Sequence, residues 1–231
     1  MILILPPDQE DVTLLLNRLD TLVHDACEIA AWTAAAGIPT LSIYERSGTQ
    51  PPYNINSSTQ LTRPPTGLLK SSLTHLHRRI DLTLTAYYGA TNPSKPTFSL
   101  RAPNIPNYSP PSTPSSHKHR PHLNILLLDA TDGRQTLVDL TKTLTEMSQA
   151  SKLHPRDISQ DLIDAEISES VMGEPDLLIL FGKEVKIEGY PPWQVRLTEI
   201  FQLQDYTGGV GYHVFLRGLY KYAKAEMRFG R

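Results

Sequence analysis

Apolar positions along this chain follow two rhythms. Short, mostly apolar runs at 2–5, 40–44, 122–128 and 176–181 are bounded by proline, glycine or charged residues. That is the pattern of strands buried on both faces. Between them, apolar residues recur every three or four positions. Val12, Leu15, Leu16, Leu19, Leu22, Val23, Ala26, Ile29 and Ala30 predict a helix over 11–36, ended by Gly37. Leu69, Leu73, Leu76, Ile80 and Leu84 predict a second over 68–88. Leu137, Leu140, Leu144 and Met147 mark one side of a third. Ile158, Leu162, Ile163 and Ala165 mark a short one over 157–169, and Val214, Phe215, Leu219, Tyr222 and Ala223 the last, over 212–227. After a turn at 189–193, the run 195–201 predicts one more strand. Strands alternating with helices predict an α/β fold, a parallel sheet with helices on both faces.

Two stretches break the rhythm. Residues 49–66 are rich in Pro, Ser, Thr and Asn and predict a loop. Residues 90–121 carry eight prolines, too little apolar surface to offset the entropy of ordering, and predict a disordered insertion. Neither 1–48 nor 122–231 holds enough core alone, so 1–231 reads as a single domain interrupted by the insertion.

Composition narrows the function. The 231 residues carry a formal net charge of -2, which gives no basic field for bulk nucleic-acid binding. The lone Cys27 has no partner within the chain and no electropositive setting, so it predicts neither a disulfide staple nor a nucleophile. No run of about eighteen apolar residues predicts a transmembrane helix. The chain starts abruptly at its first strand, and the expectation is that something upstream has been lost.

Candidate chemistry sits beyond the carboxyl ends of the strands, where open α/β sheets hold ligands. The loop 182–190, with Lys183, Glu184, Lys186 and Glu188, occupies that place after the strand at 176–181. Other motifs read as ordinary surface. His75 and His77 are two apart on a helix and do not share a face for a metal. The run His117-Lys-His-Arg120 reads as a solvated basic patch. Thr207-Gly-Gly-Val-Gly211 lacks the Lys-Ser/Thr of a P-loop and reads as a mobile loop.

Three blocks resemble the cis-prenyltransferase family of undecaprenyl and dehydrodolichyl diphosphate synthases. They are Trp32-Thr-Ala-Ala-Ala-Gly-Ile-Pro-Thr-Leu-Ser-Ile-Tyr44 with Glu45 and Gly48, then Pro175 through Gly182 and Pro192 through Ile200, and the terminal Arg228-Phe-Gly230. Within the family they are most similar to the Nogo-B receptor type, a non-catalytic subunit. Catalytic members read approximately P-D-L-x-I-R-T-G-G-E-x-R-x-S-N-F-L-x-W-Q across the second block. In this sequence Leu180 and Lys186 stand in place of the two arginines and Glu188 replaces the serine. An apolar side chain cannot neutralise a diphosphate, lysine loses the bidentate geometry of arginine, and a carboxylate repels the anion. Glu184 keeps the acidic position, a weak magnesium site by itself. The M-D-G-N-R-R type loop after the first strand is replaced by Pro6-Pro-Asp-Gln-Glu-Asp11, in which Asp8 lacks basic neighbours.

The resemblance therefore implies a chain inactive alone. It implies pairing with a catalytic subunit, as a heterodimer or heterotetramer, to which Arg228, Phe229 and Gly230 are lent to hold isopentenyl diphosphate. Arg228 and Gly230 would serve catalysis there, while Trp193, Arg196, Thr198 and Glu199 would contribute to the interface. Magnesium would sit in the partner's site and no metal in this chain. The resemblance places the complex at the cytosolic face of the endoplasmic reticulum membrane, making dolichol precursors for protein glycosylation. The stretch Trp193 to Ile200 also reads as an ordinary core strand, and both readings can hold because alternate side chains point opposite ways. Two rivals stay open: a self-sufficient cis-prenyltransferase, and a scaffold or receptor module with no part in chemistry.

Overall fold

Six parallel strands form one sheet in the order β3-β4-β2-β1-β5-β6. The computed structural model describes residues 2–5, 12–45, 67–103, 105, 120–181, 185, 187, 189–203 and 210–226, with side chains from 19 onward. The elements are β1 (Ile2–Leu5), α1 (Val12–Ala35), β2 (Thr40–Glu45), α2 (Leu68–Ser71), α3 (Leu73–Tyr88) and β3 (Thr97–Arg101). They continue with β4 (His122–Asp129), α4 (Arg134–Gln149), α5 (Gln160–Ser170), β5 (Leu177–Leu180), β6 (Glu199–Gln202) and α6 (Tyr212–Lys224). The parallel sheet expected from the alternating pattern is present.

The period of two along each strand builds two cores. On one face Leu41, Ile43, Leu123, Ile125, Leu127, Leu177 and Ile179 pack beneath α1, α3 and α6. Leu76, Ile80 and Leu84 of α3 have no solvent exposure there, so side chains fill the space between helix and sheet. On the other face Tyr44, Leu126, Leu128, Leu178 and Leu180 meet Val171, Met172 and Tyr190. At about 25 cal/mol per Å² of apolar area, such double-sided burial supplies the main favourable free energy of the fold.

The structure corrects the sequence reading in several places. Within the Pro-rich 90–121, residues Thr97–Arg101 form the edge strand β3, with Leu100 buried and Phe98 stacked on His77 at 4.5 Å. Proline density hid a five-residue run whose partner, β4, lies after the insertion; residues 106–119 lie outside the described residues. The helix expected over 68–88 breaks at Ser72, whose φ is -120° and whose hydroxyl donates to the Leu68 carbonyl at 2.8 Å. A local side-chain bond of this kind competes with the helical ladder.

The strand expected over 195–201 begins only at Glu199. Pro191 and Pro192 instead favour a 3-10 turn at Pro192–Val195, and the Thr198 hydroxyl donates to the Gln194 carbonyl at 3.1 Å. Helix α4 buries no residue: Leu137, Leu140 and Leu144 are half-buried and Met147 is exposed. Ala165 and Ala223, expected on inner faces, are exposed, whereas Gly218 of α6 is buried against Ile179.

Candidate functional site

The registers bring the carboxyl ends of β1, β2 and β4 level: Leu5 pairs with Glu45, and Glu45 with Asp129. Glu45, Asp129, Asp132 and Lys70 are all buried there. Lys70 belongs to the short α2, which starts above these ends. Asp132 lies in the 3-10 turn Ala130–Asp132, where its side chain accepts the Asp129 amide at 2.8 Å and the Asp129 side chain accepts the Thr131 amide at 2.8 Å. This reciprocal cap explains why the turn folds tightly at the end of β4.

The free amides at the start of α2 are the groups an anion would use. Here the chain's own carboxylates take them. Glu45 Oε1 accepts from the Leu68 amide at 3.1 Å and Glu45 Oε2 from the Leu69 amide at 2.8 Å. Asp129 Oδ2 accepts from the Gly67 amide at 2.8 Å. The Lys70 ammonium is likewise spent internally, 3.3 Å from Asp129 Oδ2 and bonded to Asp132 Oδ2. Two carboxylates thus flank one cation in a buried setting, with Glu45 on the neighbouring amides. Burial lifts the Asp132 carboxyl above the usual range, and the Lys70 charge partly offsets that; Asp132 Oδ1 has no hydrogen-bond partner among the described residues.

A second closure lies beside this one. Leu180, at the position of the family's first arginine, is buried in the cluster with Tyr44 and Tyr190, whose rings meet edge-on at 5.3 Å. Gly189 has φ of +77°, and a methyl group on it would stand 2.6 Å from the Tyr44 hydroxyl. A methyl on Gly133 would stand 2.0 Å from the Gly189 carbonyl oxygen. Only glycine lets these two backbone segments approach so closely. The end of the loop 182–190 is therefore clamped down onto the strand ends.

The described part of the loop, Val185, Ile187, Gly189 and Tyr190, carries no charged side chain. Lys183, Glu184, Lys186 and Glu188 lie outside the described residues, as do Asp8 and the tail Arg228, Phe229 and Gly230. The four expected interface residues are described, and each is engaged within the chain. Trp193 Nε1 and Arg196 Nη2 both donate to Asp164 Oδ1 at 2.9 Å, with the guanidinium 4.9 Å from the Trp193 ring centre. Thr198 Oγ1 donates to the Pro175 carbonyl at 2.8 Å, and Glu199 pairs with Lys221 at 2.9 Å. Lys70 and Asp132 escaped the sequence reading altogether. The acids Glu45 and Asp129 were visible at strand ends, but nothing in the sequence tied them to the start of α2.

A family model described as "Putative undecaprenyl diphosphate synthase" matches residues 107–230, just over half of the chain. The chain belongs to this family. Two undecaprenyl diphosphate synthase family relatives are 32% identical to it. The "Dehydrodolichyl diphosphate synthase complex subunit NUS1" of Saccharomyces cerevisiae matches over 91% of this chain, and its Schizosaccharomyces pombe counterpart over 92%. The chain spans 54% of the length of the first and 71% of the second. Among solved structures, lavandulyl diphosphate synthase from Lavandula x intermedia, in complex with dimethylallyl diphosphate, has a TM-score of 0.57 at 19% identity. That alignment covers 100% of this chain and 97% of the other, a likeness of fold. The family resemblance carried by the three sequence blocks is thereby borne out.

Proposed function

We propose that this chain is the non-catalytic, activating subunit of a heteromeric cis-prenyltransferase. Its partner, a catalytic homologue, extends farnesyl diphosphate with isopentenyl diphosphate into a long-chain polyprenyl diphosphate for dolichol synthesis and protein glycosylation. The observation that supports this most is the filled anion position: Glu45 and Asp129 already occupy the Gly67, Leu68 and Leu69 amides. A diphosphate arriving there meets like charge at amides that are already taken, and binding it would require displacing buried carboxylates. Beneath α3, Leu76, Ile80 and Leu84 are fully buried as well, so they offer a growing isoprenoid no open apolar surface. The names carried by the yeast relatives, subunits of a synthase complex, support a partner that does the chemistry.

Under this reading Arg228 and the backbone amides near Gly230, with Phe229 between them, reach into the partner's active site. Leaving diphosphate gathers negative charge as the allylic bond breaks, and preorganised donors stabilise that charge. Trp193, Arg196 and Thr198 precede β6 and Glu199 is its first residue; β6 ends the strand order of the sheet. A strand at the edge of a sheet is a ready place for another chain to dock.

Family chemistry calls for magnesium, and the carboxylates described at this carboxyl edge, Glu45, Asp129 and Asp132, do not suit it. The Lys70 ammonium lies among Asp129 and Asp132, and Glu45 accepts backbone amides rather than facing open space. The ion belongs, in this reading, to the partner. No helix among the described residues is long and apolar enough to cross a membrane. The proposed address, the cytosolic face of the endoplasmic reticulum membrane, rests on the family resemblance.

The test is chain elongation from labelled isopentenyl diphosphate by the purified chain, alone and co-purified with a catalytic subunit. Product only in the second sample is the expected result. Elongation by the chain alone would establish the self-sufficient enzyme instead.

A further inference from the structure

Away from the carboxyl edge, a groove of about 540 Å³ opens between α1, α3 and the first turn of α6. Its walls are Ala31, Trp32, Ala35, Tyr87, Tyr88 and Tyr212, and Glu28 is the one charged lining residue among the described residues. A space of this size lies in the range of small-ligand sites. Tyr87 is 57% and Tyr212 52% exposed, so the rim rings are left uncovered on a helical face whose core is otherwise complete. The Trp32 and Tyr212 rings stand 5.2 Å apart, inclined at 61°. The Tyr87 hydroxyl donates to Glu28 Oε2 at 2.7 Å, which fixes the carboxylate across the groove from α1 to α3.

We infer that this groove binds a methylated ammonium group, of the kind carried by choline. The negative faces of aromatic rings attract a cation, most strongly when it is poorly hydrated. Glu28 adds a carboxylate to the wall. Among the described residues no lysine or arginine lines the groove to compete. A primary ammonium would need three acceptors in place of its water. Glu28 is the only charged acceptor here, and one of its oxygens already serves Tyr87. Methyl groups need no such replacement and pack on rings and alanines. This inference is independent of the proposed subunit role.

The same chemistry could come from a soluble cation or from a phosphatidylcholine headgroup. Calorimetric titration of the full chain with tetramethylammonium and choline tests the site. Two controls accompany it: methylammonium, and the neutral choline isostere in which carbon replaces nitrogen. Saturable binding is expected, at least about fivefold weaker for both controls and in Tyr87→Ala and Tyr212→Ala, given the usual strength of cation–π contacts. Tyr87→Phe, which keeps the ring, should bind nearly as the unaltered chain does, and melting curves confirm that each variant is folded. Retention on phosphatidylcholine vesicles but not phosphatidylglycerol vesicles assigns the lipid source. Choline binding without vesicle retention assigns the soluble one. No saturable heat with either cation, equal affinity for the neutral isostere, or undiminished binding in both alanine variants overturns the inference.

Discussion

Glu45 Oε2 accepts the Leu69 amide at 2.8 Å, which ties the last residue of β2 to the first turn of α2. The same carboxylate also accepts the Leu68 amide, so one strand-end acid supplies the helix with the anion its free amides invite. Removing it leaves two amides without their acceptor in a place where Glu45 itself is only 2% exposed. Glu45→Ala should therefore lower stability by about 1–3 kcal/mol, the usual penalty for stranding buried polar groups. Urea denaturation followed by circular dichroism measures this as a shifted midpoint with an unchanged slope.

Lys70 carries the opposite charge in the same cluster. Lys70→Met leaves Asp129 and Asp132 buried without their cation, which should cost about 3–5 kcal/mol. The triple variant Lys70→Met, Asp129→Asn, Asp132→Asn removes the charge imbalance along with the cation. It should recover a substantial part of that loss, and a comparison of denaturation midpoints separates the charge effect from lost packing.

The pH dependence of stability carries a signature from α1. Burial raises the Asp25 carboxyl from 3.8 to about 6, with His24 lowering it and Glu28 raising it further. The folded state therefore holds its proton more tightly than the unfolded chain. Its contribution is fully present below the unfolded value and fades as pH rises through about 6. Asp25→Asn should flatten thermal stability between about pH 4 and 6 relative to the unaltered chain, and raise the melting temperature at neutral pH. Melting curves across that window read both effects.

At the tail, the proposed role is catalytic and not structural. Arg228→Ala should leave the fold and the association with the catalytic subunit intact. Turnover of the complex should fall by at least about one to two orders of magnitude, the scale of a lost transition-state donor. Steady-state assays of the reconstituted complex, with gel filtration to confirm assembly, make the measurement. Unchanged turnover would favour the scaffold reading.

Much of this molecule could be read from its residues, and the failures share a cause. Leu41, Ile43, Ile125 and Leu127 sit in short, mostly apolar runs bounded by proline and an acid, so the central strands were visible. The strand β3 was hidden because it is short, surrounded by prolines, and stable only through pairing with a segment some twenty residues later. Tertiary pairing overrode local composition there. At the carboxyl edge the substitution of Leu180 was legible as a lost arginine. The hold of Glu45 and Asp129 on the α2 amides was not, because those acids meet α2 only in three dimensions. The residues expected at an interface stood out as a motif, but Asp164, which Trp193 and Arg196 bond within the chain, lies on another element.

Equilibrium binding of isopentenyl diphosphate to the isolated chain, by calorimetry with magnesium present, bears most directly on whether the carboxyl edge is closed by its own acids. No saturable binding should be seen, and none should appear when Arg228 is replaced by alanine. One-to-one binding to the isolated chain that is weakened by Lys70→Met would mean that Lys70 and the amides above Glu45 do receive a substrate, and would contradict the account.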